Sequence, residues 1–282
     1  MTTALERWKE QIELCRQERS EHDAQHWKKA AGWYQTWVRE NDYVEKTLPY
    51  LQPLLGRGAQ VLEIGAGTGA FTIPLAQKAD RIIAVEPSSG MRDILNEKRK
   101  RGGHKNIQVL PQKIEDCLSH IKEAAPFQLI FASFSLYNVK QIDVLLETLL
   151  PLTKYLAILL GSGSVSPWKQ SLYQRFRGES RVIPPQLDFL YPVLLDMGLY
   201  ADVDIIPTSQ NYVFSDWDRL ISWWRNKLQV EGHQREELRE ALLPLITKRN
   251  GHVGIFQERL MALVCLDRDK QTKFKKRSFS HP

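Results

Sequence analysis

Val61-Leu62-Glu63-Ile64-Gly65-Ala66-Gly67-Thr68-Gly69 is an apolar run that breaks into three glycines at alternate positions. The run has the length of a buried strand, and Phe71–Ala76 then starts a helix. Glycines let the backbone turn sharply and let a ligand approach without meeting a Cβ. The helix beyond them offers unpaired N–H groups at its start. Dinucleotide and phosphate sites use related loops, so the neighbours must discriminate. No Gly-Lys-Ser/Thr follows, which excludes a P-loop, and Gly67-Thr68-Gly69 is tighter than the Gly-x-x-Gly of a dinucleotide fingerprint. Glu63, two residues before the first glycine, repels a pyrophosphate and attracts an ammonium. Glu86 ends the next apolar run in Ala84-Val85-Glu86-Pro87-Ser88. A carboxylate there, about 20 residues on, accepts hydrogen bonds from ribose hydroxyls.

Outward from this segment, apolar runs at Gln60–Ile64, Arg81–Glu86, Ile107–Leu110, Gln128–Ala132 and Tyr155–Leu160 are mostly separated by helical patterns. Near-continuous apolar strands alternating with helices predict a doubly wound, mostly parallel sheet of an α/β domain. Two further strands, Ala201–Ile206 and Arg259–Leu266, bring the expected count to seven. The pattern breaks down over Gly161–Asp188, where Pro167, Pro184 and Pro185 punctuate a loop. A helix through Leu190, Val193, Leu194 and Met197 ends at Gly198. Helices are expected at about Asp216–Leu228 and Gln234–Lys248. Upstream, residues 4–39 read as helix with Gly32 as a potential interruption, and a second helix runs from Asp42 to about Leu55. The expected organisation is an N-terminal helical lid over 1–56, a sheet domain over 57–267 with cap elements at about 162–188 and 215–250, and a basic tail over 268–282.

Val61–Gly69 together with Glu86 resembles motifs I and II of the class I S-adenosylmethionine-dependent methyltransferases, and the likeness runs over roughly residues 60–160. The resemblance implies a Rossmann-like methyltransferase sheet with S-adenosylmethionine as cofactor. It assigns Glu63, Gly65, Ala66 and Gly67 to the methionine portion and Glu86 to the ribose. Pro87, Ser88 and Met91 then lie near the adenine edge. Many relatives carry an aspartate where Lys113 falls; here Ile114 packs on the ring and Glu115 or Asp116 supplies the acceptor, or the segment is a solvated helix start. Ser133 and Phe134, at the end of the fourth strand, face the transferred methyl. The base-amino motif Asn/Asp-Pro-Pro-Tyr is absent from Ser133-Phe134-Ser135-Leu136-Tyr137-Asn138, which favours a small-molecule acceptor. Methyl transfer from a sulfonium needs alignment more than a fixed catalytic set. Tyr34, Tyr137 and His252 are the catalytic candidates. Trp27, Trp33, Tyr34, Trp37 and Tyr43 either close over the site or pack on the sheet.

The remaining composition bounds the alternatives. The 282 residues are 43% hydrophobic and 26% charged, as in a globular chain, with net charge +6. Part of that charge lies in Lys270, Lys273, Lys275, Lys276 and Arg277. A terminal basic run is usually solvated, so nucleic acid is not the expected partner, although RNA or protein methylation remains an alternative, as does cofactor binding without catalysis. Cys15, Cys117 and Cys265 form no close pair, which points to a reducing cytoplasm. His22 and His26 have helical spacing without a third ligand, so no metal site is expected. No apolar stretch reaches the ~20 residues of a membrane span. The oligomeric state is left open.

Overall fold

The structure is a computed structural model and describes residues 2–17, 23–163 and 166–272. The N-terminal run forms two helices, α1 (Ala4–Gln17) and α2 (Asp23–Arg39), followed by α3 (Tyr43–Leu51). Gly32 lies inside α2 and does not interrupt it. The sheet then begins with β1 (Gln60–Ile64), α4 (Thr72–Ala76), β2 (Arg81–Val85), α5 (Ser89–Arg101) and β3 (Ile107–Leu110). It continues through α6 (Leu118–Ala124), β4 (Phe127–Ser133), α7 (Ile142–Leu149) and β5 (Thr153–Gly161). After β5 come α8 (Pro167–Arg177), α9 (Leu187–Asp196) and β6 (Asp202–Phe214). The chain ends its regular structure with α10 (Trp217–Leu228), α11 (Arg235–Leu242), β7 (Thr247–Arg249) and β8 (His252–Asp267).

The strand order is β3-β2-β1-β4-β5-β8-β6, with the short β7 paired to β8. The first five strands are parallel; β8 runs antiparallel between β5 and β6. The chain leaves β1 toward β3 and then returns to β4, so the strand order reverses between β1 and β4. Their carboxyl ends open a crevice there, the usual ligand position of an open α/β sheet.

The strand alternation divides the core. Leu62, Ile64, Ile83, Val85, Ile130 and Ala132 pack on one face with Trp8 and Ile12 of α1 and the apolar sides of α7 and α9. Val61, Ile82, Ala84, Leu129 and Phe131 pack on the other, with Tyr43 and Leu51 of α3, Leu75 of α4 and Leu95 of α5. A third cluster joins Leu172, Leu220, Trp224, Leu238 and Ile255 of α8, α10, α11 and β8.

The seven expected strands all form the path of the sheet, and a short eighth, Thr247–Arg249, turns through Asn250 and Gly251 back into β8. Both residues of that two-residue turn have positive φ, 48° and 75°, as a tight hairpin with right-handed twist requires. Lys248 therefore lies in a strand, not at a helix end. β6 and β8 extend far beyond Ala201–Ile206 and Arg259–Leu266, pairing from Asp202↔Cys265 to Phe214↔Val253. The polar stretch in the middle of β6 meets the turn after α2: Ser209 N–H donates to Asp42 Oδ1 at 2.6 Å and Asn211 N–H to Asn41 Oδ1 at 2.6 Å. Finally, the loop expected over 162–188 contains α8, which starts with Pro167 and ends at Gly178 in the left-handed conformation. Its apolar residues are spaced to face the third cluster, a pattern that the flanking prolines obscured. Among the described residues, no helix is long and apolar enough to cross a membrane.

Candidate functional site

The loop after β1 is built on its glycines. Gly65, Gly67 and Gly69 have φ of 71°, 57° and 78°. The N–H groups of Gly65 and Ala66 both donate to Val85 O, at 2.8 and 3.0 Å, which ties the turn to β2. A Cβ on Gly65 would sit 2.2 Å from Ser135 Cβ, so only glycine admits the loop after β4 this closely. Ser135 Oγ donates to Ile64 O at 2.5 Å and interlocks the two loops where the strand order reverses.

Glu86 follows β2 at the same edge. Its carboxylate accepts from Gly67 N–H at 2.7 Å and Ser88 N–H at 2.8 Å, and Arg92 Nη1 donates to its carbonyl at 2.9 Å. Only 6% exposed, it has its pKa pushed up by burial, against the lowering effect of those two amides.

A cleft of about 270 Å³ opens over this edge. Gly65, Gly67, Glu86, Pro87, Ser88, Met91, Ile114, Glu115 and Ser133 line it, together with Tyr34, Phe134 and Tyr137. Two of the residues assigned to the cofactor do not line it. Ala66 is packed into the core beneath the loop. Glu63 shares the strand face of Val61, two residues earlier, and therefore points toward α4 rather than the opening. It is 2% exposed and accepts a hydrogen bond from Thr72 Oγ1 at 2.5 Å. Burial raises its pKa to about 8, with Thr72 opposing and Glu86 adding to the rise. Direct capture of an ammonium by Glu63 is thus not the geometry of this chain.

The 3-10 turn Ile114–Cys117 brings Ile114 and Glu115 to the cleft beside Lys113, whereas Asp116 does not line it. Sequence reasoning missed Arg16 and Asn138, which also line it; Arg16 Nη2 donates to Asn138 O at 3.1 Å. Nothing local marks Arg16, because it reaches the cleft only once α1 has packed against the sheet through Trp8.

The N-terminal helices do not form one layer. Trp8 Nε1 donates to Val139 O at 2.9 Å and fixes α1 in the core. Among the described residues, α2 is the N-terminal helix that packs over the glycine loop. Its Tyr34 ring lies 3.7 Å from the place a Cβ on Gly67 would take, and Tyr34 Oη is 3.2 Å from Tyr43 Oη. Burial raises the Tyr34 pKa, and Glu86 and Glu63 add to it, so the group is a neutral phenol rather than a base. Lys98 Nζ donates to Thr68 O at 2.8 Å and to Gln35 Oε1 at 2.7 Å, holding α2 to the loop and to α5.

His252 is not at this cleft. It opens β8 after the hairpin turn, with Nδ1 3.0 Å from Asn250 O, and lines a separate cavity of about 370 Å³ with Trp33, Tyr212 and Arg219. Its glycine flanks made it resemble an active-site loop; they serve the hairpin instead. His22, Lys273, Lys275, Lys276 and Arg277 lie outside the described residues. Among the described residues, no three His, Cys, Asp or Glu side chains gather as a metal site.

The cleft fits a nucleoside ligand. Ser88 lines it, and its Oγ is fully buried with no hydrogen-bond partner among the described residues. Glu86 is placed to take sugar hydroxyls, Ile114 and Met91 offer an apolar wall for a base, and the glycine backbone leaves room.

Comparison with known proteins agrees with this chemistry. Residues 61–154 match a family model described as a methyltransferase domain. A segment of 54 residues is 48% identical to an rRNA adenine N-6-methyltransferase of Bacillus licheniformis, covering 19% of this chain and 18% of that protein. An uncharacterized methyltransferase of Staphylococcus carnosus is 40% identical over 81 residues, 29% of this chain and 34% of its own. The matches thus span about a third or less of these curated relatives. A solved structure from Bacillus halodurans C-125, named only provisionally as a methyltransferase, superposes with a TM-score of 0.51 at 12% identity. It covers 79% of this chain and 99% of that one, and the likeness concerns the fold.

Proposed function

We propose, from the match of residues 61–154 to a methyltransferase domain, that the whole chain is an S-adenosylmethionine-dependent enzyme that methylates a small molecule. The carrying observation is Glu86, whose two carboxylate oxygens are fixed by Gly67 N–H and Ser88 N–H at the rim of the cleft. That arrangement leaves its remaining lone pairs for the two hydroxyls of a ribose. Bound S-adenosylmethionine would supply an electrophilic methyl group on a sulfonium.

The protein's own residues do the rest. Gly65 and Gly67 admit the ligand to the backbone, and Ser88, Met91, Ile114 and Glu115 take the base. Phe134, held at φ 51° with its N–H on Leu159 O at 2.9 Å, forms the wall toward the acceptor. Tyr34, on α2, covers the loop and excludes water. Tyr34 and Tyr137 are orienting groups in this reading, and proton removal is needed only from an acceptor that is protonated at working pH.

The small acceptor is supported by the α2 cover over the loop and by Ser133-Phe134-Ser135-Leu136 in place of a base-amino motif. The rRNA methyltransferase match favours a second reading, methylation of RNA, in which the basic tail supplies phosphate contacts. Equilibrium dialysis with labelled S-adenosylmethionine tests the cofactor, and retention of NAD or a nucleoside triphosphate in its place would sink the proposal. A salt-dependent RNA mobility shift that disappears on deleting residues 268–282 would move the acceptor to RNA.

A further inference from the structure

Near the carboxyl end of β5, where Arg259 lies against Gly161, the protein gathers basic side chains. Lys169 of α8 is 7% exposed, and its Nζ donates to Gln210 Oε1 at 2.8 Å and Tyr212 Oη at 2.9 Å. Both partners are neutral. Burial, then Arg181, Arg259 and Lys227, pull its pKa down to about 6. Among the described residues, neither Lys169, Arg181 nor Arg259 forms an ion pair with a carboxylate, although surface arginines such as Arg175 and Arg235 do. Buried Lys169 and the two half-buried guanidinium groups have no carboxylate against them among the described residues, a setting that favours an anion from outside the chain.

The surroundings are polar and ordered, as a ligand site requires. Gln257 receives Trp168 Nε1 at 2.7 Å and donates to Gln210 at 2.6 Å, which fixes the wall beside Lys169. Gln186 is 6% exposed, and its Oε1 is fully buried with no hydrogen-bond partner among the described residues. A Cβ on Gly161 would meet Gln186 Oε1 at 1.7 Å and Arg259 Nη2 at 2.9 Å, so these two groups converge on the carboxyl end of β5. From there Arg259 reaches back over Phe134, with its guanidinium carbon 5.5 Å from the ring centroid. Arg259 thus touches the outer side of a ring that lines the proposed cofactor cleft.

We infer that Lys169, Arg181 and Arg259 form an anion subsite that seats a carboxylate or phosphate carried by the small molecule to be methylated. The inference rests on the methyltransferase reading for the ligand's role but not for its charge. An anion held by Arg259 leaves the rest of the molecule directed toward Phe134 and the cleft. Lys169, neutral when alone among cations, takes up a proton as the anion arrives.

The full-length protein, with and without S-adenosylhomocysteine, is titrated with inorganic phosphate, benzoate and the uncharged benzamide, and binding is followed by calorimetry. Saturable binding of phosphate or benzoate is expected, with benzamide at least tenfold weaker, and the preferred anion identifies the group on the acceptor. Arg259→Gln should weaken the anion at least tenfold while changing S-adenosylhomocysteine affinity less than twofold. Arg181→Gln, on the partly exposed segment before α9, provides the same readout should Arg259→Gln fail to fold. Absence of saturable anion binding, equal affinity for benzamide, or unaltered binding in a folded variant would overturn the subsite. If anions bind through these residues but S-adenosylhomocysteine does not, the subsite stands and the methyltransferase reading fails.

Discussion

Both oxygens of Glu86 are engaged by backbone N–H groups, so the carboxylate is pre-aimed and needs no reorganisation to meet a sugar. Glu86→Ala should weaken S-adenosylmethionine at least tenfold, about 1.4 kcal/mol, because the hydroxyls lose their acceptor and two amides lose theirs. Unchanged affinity by calorimetry would remove Glu86 from the site. Glu63 behaves differently. Its carboxyl titrates near 8 in the fold against 4.5 when exposed. Between those values the folded chain keeps a proton that the unfolded chain has released. Its stabilisation is therefore full below about pH 4.5 and is lost as pH rises through about 8. Glu63→Gln should flatten the decline of melting temperature between about pH 5 and pH 9, and a slope like that of the parent would contradict a buried carboxyl. Gly67→Val combines a β-branched side chain with φ 57° and crowds Tyr34. Cofactor binding should disappear, and normal binding would mean that the loop is not the site.

At the scale of elements, α2 is the helix that packs over the glycine loop, which gives it the covering role proposed above. It crosses α5 closely: a Cβ on Gly90 would lie 2.7 Å from Lys28 O. Gly90→Val should lift α2 away, and the hydrogen bonds from Lys98 to Gln35 and Thr68 should not both survive. The expected outcome is faster amide exchange over residues 23–39 with the strands β1, β2 and β4 protected as before. Undisturbed protection in α2 would mean that this close approach does not hold it. The β6–β8 pair is the other element with a positional role. Its polar outer half anchors Asn41 and Asp42 at the end of α2, and its Gln210, Tyr212, Gln257 and Arg259 build the anion cluster.

Over the whole molecule, three apolar clusters divide the work. Two cover the faces of the sheet and position the glycine edge, and the third holds α8, α10 and α11 against the far ends of β6 and β8. Trp224 is 2% exposed and central to that third cluster. Trp224→Ala should cost about 3–5 kcal/mol in denaturant unfolding, with the cap's amides losing protection before those of the parallel strands. Equal loss over the whole sheet would mean that cap and sheet unfold as one unit.

Local pattern alone identified the five parallel strands, because each is a short apolar run with its signal carried by adjacent residues. The glycine loop and Glu86 were legible for the same reason: turn chemistry and strand-end position are local properties. Glu63 was assigned to the ligand from its position before the glycines, and the structure instead turned it under α4, on the strand face of Val61. The outer halves of β6 and β8 were not legible, since their polar residues find partners far along the chain: Ser209 and Asn211 with Asp42 and Asn41, Gln210 with Lys169, and Gln257 with Trp168. Arg16 reaches the cleft through the packing of Trp8, and Lys169, Arg181 and Arg259 meet through three separate elements. Distant charges become neighbours only when long-range packing brings them together, and so the chemistry of the cleft could be read along the chain while the charge behind it could not.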